Sequence, residues 1–312
     1  MIFSSTTSGM EKRRSMPASR LPRIIGVLLL AGSLAACSAV KTAYNQAPEL
    51  AYWYLDGYAD FSGAQSLQVK TGLTRLQAWH RQSQLPSYVD ALQKWQQRVP
   101  SNVTAAEACE IVADVRGKLI KVSGQVEVTA AAVASTMSPA QLQFMEAKFA
   151  KSNADFREEF IEGSADDRRS KRLKKAIKRA EMLYGTLHTE QLAVIAQTID
   201  RSRFNPSLAF TEWQRRQQDV LKTVRSLSAA AGRPSAAESP EKSAMAIRAL
   251  IERTAESPDA AYRSYAKALT EQSCQGFAEL HNKTTVVQRR KAVDNLKSYE
   301  QDFRLLAGAV AG

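Results

Sequence analysis

Ser138 to Phe160 reads SPAQLQFMEAKFAKSNADFREEF, and its pattern recurs along the chain. Ser138 offers a side-chain oxygen at the N-cap, Pro139 a preset φ at the first helical position, and Gln141 the third member of a capping box. Leu142, Met145, Phe149, Phe156 and Phe160 follow at roughly helical spacing, which predicts an amphipathic helix over 139–161. Asn205-Pro206, Ser239-Pro240 and Ser257-Pro258 repeat the start signal, and Thr104-x-x-Glu107 and Thr285-x-x-Gln288 have the capping-box form. Leu67, Leu73, Leu76 and Trp79 make a second apolar stripe.

From these stops we expect helices near 48–61, 64–83, 86–98, 104–134, 139–161, 167–202, 206–230, 240–256, 258–280 and 285–308. No stretch alternates long enough to be a strand, so the fold class is all-α, a multi-helix bundle. Segment 228–241, SAAAGRPSAAESPE, is small, polar and Pro-containing, and reads as a linker. The expected organisation is a leader over 1–36, a short tether over 37–47, a helical bundle over 48–230, and C-terminal helices over 231–312 packed on the same bundle.

The leader has a basic start at Arg20 to Arg23, then eleven apolar or small residues from Ile24 to Leu34. That length suits a signal segment and is too short to span a bilayer. Leu34-Ala35-Ala36-Cys37 resembles the lipobox of bacterial lipoproteins. The resemblance implies cleavage between Ala36 and Cys37, diacylglycerol on the Cys37 thiol, and acylation of the new amino group by a chain such as palmitate. Ser38, being other than Asp, implies sorting to the outer membrane in that class. Several acyl chains anchor firmly, each buried methylene adding about 0.8 kcal/mol. The chain carries 43 Lys and Arg against 31 Asp and Glu, a net +12. The leader holds five basic residues and one acidic, so +8 remains after its removal. Such a surplus attracts acidic polymers and anionic lipid without choosing between them.

Tyr44-Asn45-Gln46-Ala47-Pro48-Glu49-Leu50-Ala51-Tyr52-Trp53-Tyr54-Leu55-Asp56, and Trp79-His80-Arg81 leading to Leu85-Pro86, resemble an uncharacterised proteobacterial lipoprotein family of the DUF6279 kind. The resemblance spans most of the mature chain and implies an envelope lipoprotein, with no activity attached. Val103-Thr104-Ala105-Ala106-Glu107, Met137-Ser138-Pro139-Ala140-Gln141 and Leu187-His188-Thr189-Glu190-Gln191 resemble the L-T-x-x-Q motif of periplasmic stress chaperones. Any capping box with an apolar residue before it gives the same pattern, and that plainer reading is preferred. The third copy also has His188 where the hydroxyl should stand.

Three histidines, His80, His188 and His281, stand without ligand-spaced partners, so we expect no metal and no cofactor. Glu238-Ser239 and Glu256-Ser257 both precede proline and read as cap chemistry, so no catalytic residue is nominated. Cys109 and Cys274 allow one disulfide in an oxidising compartment, or two separate buried thiols. Over 168–180, Arg168, Lys171, Arg172, Lys174, Lys175, Lys178 and Arg179 share one face, with Arg169 near the boundary, and Leu173, Ala176, Ile177 and Ala180 the other. Such a helix offers an anionic-ligand face, or a core stripe with a solvated back. Tyr52, Trp53, Tyr54, Tyr58 and Phe61 suit either a membrane interface or a buried stripe, and burial is preferred. Trp79 and Trp95 are assigned to core, and His80 and Arg81 to a structural pair. The function expected is a periplasm-facing binding, scaffold or chaperone-like module. Its partners would be the bilayer through Cys37, envelope proteins, anionic lipid or cell-wall polymer, and no nucleic acid. A cell-wall enzyme and a purely structural spacer are the alternatives.

Overall fold

Serine and threonine hydroxyls cap many of the helix starts in the computed structural model, which describes residues 40–231 and 239–308. Cys37, the leader and positions 232–238 of the expected linker lie outside the described residues. Residues 40–45, within the expected tether, are helical, and twelve helices follow from Ala47: α1 (Ala47–Ala59), α2 (Gly63–Ser83), α3 (Leu85–Arg98), α4 (Ala105–Gly124), α5 (Glu127–Ser135), α6 (Pro139–Phe160), α7 (Ala165–Tyr184), α8 (Thr189–Asp200), α9 (Pro206–Ala231), α10 (Pro240–Ala255), α11 (Ala260–Asn282) and α12 (Val286–Gly308). No strand occurs among the described residues. The fold is all-α, a multi-helix bundle.

The hydroxyls of Thr104, Ser138 and Thr285 each accept the N3 backbone N–H at 3.2 Å, and Ser239 and Ser62 do so at longer range. Three expectations are corrected. The helix expected over 104–134 breaks after Gly124, because Ser123 and Gly124 weaken it and Glu127 turns inward to a bidentate contact with Arg248 (2.7 and 2.9 Å). The helix expected over 167–202 breaks at Gly185, whose φ of 77° no helix tolerates. Ser257 does not cap α11; Asp259 does, accepting from Ala261 N–H at 2.8 Å, while buried Ser257 donates to Glu212 at 3.0 Å.

Two cores form within the unit that begins at Asn45. In the first, Ala59, Ala131, Met137, Leu142, Met145, Leu221 and Ile247 come from α1, α5, α6, α9 and α10. In the second, Tyr184, Leu187, Ile195, Leu280 and Ala292 come from α7, α8, α11 and α12, with Trp95 and Val99 from α3 and the residue following it. The C-terminal helices pack throughout: α12 lies along α3, α11 against α4 and α8, and α10 against α5.

Each core is framed by a pair of exchanged glutamines. In the first, Gln65 and Gln141 each accept the N–H of their own N-cap serine at 2.9 Å, and Gln141 donates its amide to Gln65 Oε1 at 2.7 Å. Each amide also donates to a carbonyl before the partner's helix, Thr136 O for Gln65 (3.1 Å) and Asp60 O for Gln141 (2.7 Å). In the second, Gln191 donates to Gln288 Oε1 at 2.6 Å and to Lys283 O at 2.9 Å, and Gln288 donates to Thr186 O at 2.8 Å. All four side chains are buried, where a fully partnered amide network specifies one arrangement of the helices. Close helix crossings recur too. A Cβ at Gly72 would stand 2.6 Å from Thr129, and one at Gly276 would collide with Thr198.

Candidate functional site

The basic helix lies on α7, and its cations divide by task. The Arg168 guanidinium donates to Ile161 O (3.0 Å) and Gly163 O (2.6 Å), closing the turn from α6. Arg169 is bidentate on Asp200 of α8 (2.5 and 2.7 Å), which holds the Asp200 carboxyl below its ordinary range. Arg172 sits 5.1 Å over the Phe204 ring, half-buried, and burial lowers its pKa. Lys171 reaches Glu158 O at 3.4 Å, and Lys175 pairs with Glu159 while lying over Phe160. Lys174, Lys178 and Arg179 are exposed and make no ion pair among the described residues. Five of these eight cations therefore knit α7 to its surroundings, and three face outward.

Cys109 of α4 and Cys274 of α11 are joined, with Cα atoms 5.3 Å apart. The bond pins the start of α4, and Arg116 ties its middle to Ala255 O at 2.7 Å. Between these ties α4 stands away from α3 and α12, leaving an open cleft of about 380 Å³. Ile111, Val115 and Leu119 form one wall; Leu92, Trp95 and Phe303 form the facing one; Phe277 and His281 reach its floor. Val115 is 49% and Leu119 63% exposed, an arrangement a finished core would not leave. Lys118 and Asp114, 2.5 Å apart, lie at the rim, with the Lys118 ammonium 5.7 Å from the Tyr88 ring. Leu183 brings the end of α7 to the same cleft.

His281 is fully buried. Its Nε2–H donates to Ser101 O at 2.9 Å, so Nδ1 accepts from the Tyr184 hydroxyl, also at 2.9 Å. Burial lowers the His281 pKa and raises that of Tyr184. A neutral imidazole with both nitrogens engaged is a structural post. His80 meets the Tyr88 hydroxyl at 3.1 Å and Arg81 donates to Asn45 at 2.9 Å. Trp79 and Trp95 are half-buried, and Trp95 lines the cleft. Of the early aromatic cluster, Tyr52, Tyr58 and Phe61 are half-buried, whereas Trp53 and Tyr54 are exposed. Sequence reading expected the cap and the helix of α4 but not its exposed apolar face. Its signal was available in Ile111-Val112-Ala113-Asp114-Val115-Arg116-Gly117-Lys118-Leu119-Ile120, which carries more apolar side chains than one helix face can bury.

A second apolar cavity, of about 430 Å³, lies inside the first core, bounded by α1, α2, α5, α6, α9 and α10. Away from both, Glu212 is buried on α9. Burial alone would raise its pKa, but hydrogen bonds from Arg215, Arg216 and Ser257 hold it below the ordinary range. Asp219 is held low first by Arg253, bidentate at 2.9 Å. This clamp joins α9 to α10 and to the turn before α11. Among the described residues no His, Cys, Asp and Glu gather as metal ligands, and no helix is long and apolar enough to cross a membrane.

Against this geometry, the signature of a "Family of unknown function (DUF6279)" matches residues 57–233. The chain belongs to that family. The DUF6279 match includes Trp79 to Arg81 and Leu85-Pro86, starts just after the Tyr44–Asp56 stretch, and runs from within α1 to just past α9. Of the cleft's lining, Phe277, His281, Leu296 and Phe303, on α11 and α12, lie beyond it. No curated protein and no solved structure matches the chain.

Proposed function

We propose that this DUF6279 chain is a lipid-anchored envelope module that holds apolar segments of partly folded client proteins in the cleft between α4 and the α3–α12 pair. The observation that carries the reading is the cleft itself. An apolar trough with exposed Val115 and Leu119 on one wall and Trp95 opposite is the kind of patch that marks a protein-binding surface. Lys174, Lys178 and Arg179 on α7 supply positive charge for long-range capture before apolar contact. The lipobox at Cys37 supports anchoring on the periplasmic side of the outer membrane. Such holding needs no catalytic group.

The test is aggregation of a denatured outer-membrane protein diluted with the domain that starts at Asn45, which contains both cores. Suppression is expected at a few-fold molar excess, weakened about tenfold by Leu119→Glu, since placing a charge in an apolar site costs more than 1.4 kcal/mol. Reversing Lys174, Lys178 and Arg179 to Glu should weaken it mainly at low salt. No suppression by the unaltered domain would discard the holding role and leave the spacer. For the anchor, Cys37→Ser should leave an uncleaved precursor; a mature-size product from that variant contradicts it.

A further inference from the structure

The cavity in the first core serves none of the roles assigned above. Its walls come from six helices, and apart from Tyr58 and Thr129 no wall residue carries a hydroxyl, amide or charge. Its lining is half- or fully buried except at Leu55, which is 42% exposed and marks the opening. Native interiors rarely contain empty space much larger than a water molecule, and a wall of this chemistry does not hold ordered water. Small side chains make the room: Ala59, Ala130 and Ala134 stand where larger residues would fill it.

We propose that this cavity takes the hydrocarbon chain of a membrane lipid. The walls exclude a polar ligand, because nothing in them would satisfy its hydrogen bonds. An extended peptide is excluded for the same reason, as its backbone N–H and C=O groups would be buried unpaired. A helical peptide, about 10 Å across, is wider than such a chamber admits. A single alkyl chain meets every condition. A dry cavity of 150 Å³ admits benzene, so by proportion about 430 Å³ accommodates roughly seventeen carbon atoms, the length of a common acyl chain.

The surface around the opening carries a second argument. Tyr54 rests on Tyr58 with ring centroids 5.4 Å apart, and Tyr58 on Phe149 at 5.9 Å, an aromatic path from the surface to the wall. On the same helix Leu50, Trp53 and Tyr54 are 57%, 66% and 67% exposed. Tryptophan and tyrosine favour the headgroup level of a bilayer. The α1 surface therefore suits contact with the lipid from which the chain is drawn, its polar end staying outside beyond Leu55. This site is separate from the client cleft, and its test reads neither aggregation nor client binding.

The experiment feeds a diazirine- and alkyne-bearing fatty acid to cells making the full chain with Cys37→Ser, which removes acylation at that thiol as a source of label. After irradiation, adducts are mapped by peptide mass. UV-dependent adducts on peptides containing Met145 or Val224 are expected, and the added mass tells a free fatty acid from a whole phospholipid. Ala130→Leu, placing extra carbons at a half-buried wall position, should cut those adducts about tenfold, because overfilling competes directly with the chain. Its circular dichroism melt confirms that the body stays folded, and Val133→Leu serves as a second filling variant if it does not. Leu119→Glu, in the other cleft, should leave the adducts unchanged. Adducts confined to Leu50–Leu67, or none, would overturn the proposal, as would adducts at Met145 that persist in both filled variants.

Discussion

The two cores are framed alike and finished differently. Each has an exchanged glutamine pair and a crossing of glycine against threonine, yet one surrounds its apolar cavity with side chains that are nearly all half- or fully buried, and the other leaves Val115 and Leu119 of α4 exposed along its cleft. The frame is set by buried neutral amides that place helix starts back to back. The remaining apolar surface is left to the helices that pack around it. In the first core α5 and α10 press together and complete a wall. In the second, α4 packs on α11, where the disulfide joins them, while Val115 and Leu119 on its other side are left in solvent. A shared frame thus carries a site lined by buried side chains and one with an exposed wall, and what separates them is how one helix is packed.

Removing the tether should break this comparison most severely. Cys109→Ala with Cys274→Ala, or reduction of the native protein, should cost about 2–5 kcal/mol, given a closed loop well over a hundred residues long. Denaturant titration measures the loss. Hydrogen exchange should show it concentrated in α4 and α11, with α1 and α6 protected; equal loosening of all four would mean the cores are one cooperative body.

The glutamine frames come next. Gln141→Leu and Gln191→Leu each leave an N-cap N–H and a carbonyl without their side-chain partner and take one hydrogen bond from the facing buried amide. Each should cost about 2–4 kcal/mol, at roughly 1–3 kcal/mol for every unsatisfied buried group after partial relaxation. Near-equal losses would sharpen the equivalence of the two frames, and a cost confined to one would refute it.

Acidity separates the halves more gently. His281 has a folded-state pKa below its unfolded value, so the unfolded chain binds more protons as pH falls. Its contribution is fully present above about pH 6.5 and is lost as pH drops below that value. His80, lowered by burial on the α2 side of Tyr88, acts in the same direction. Glu212 and Asp219, held low by arginines, lose their contribution only at more acid pH, below the ordinary carboxylate range. Stability measured from about pH 8 down to about pH 2 should therefore fall in two stages. His281→Gln should shrink the upper stage, and an unchanged upper stage would assign it elsewhere.

How much of this was legible depended on whether the signal was local. Ser138-Pro139 and Thr285-x-x-Gln288 announce their helices because a cap is settled within four residues. Gly185 ended a helix that the apolar stripe seemed to continue, although Leu187 and Gln191 already had the form of a new start. Ser62-x-x-Gln65 went unread as a cap, and its bond to Gln141 could not be read at all, since nothing local says which helix start lies opposite. The same holds for the cleft. The excess of apolar residues on α4 was visible, but not that their opposing wall would come from Trp95 and Phe303. Lys174 and Lys175 look identical in sequence, and only the packing of α6 makes one a surface charge and the other an ion-pair partner.

The bond between Cys109 and Cys274 also sets an order of assembly. Cys109 is made long before its partner, and α3 before the α12 helix that lies along it. The cleft thus stays incomplete until α11 and α12 are made, and contacts between such distant segments form slowly. Until then the apolar face of α4 has nothing opposite it. A chain cut short before α11 would present Val115, Leu119 and a lone thiol together, and so would be a ready substrate for the kind of holding that the finished cleft is proposed to perform.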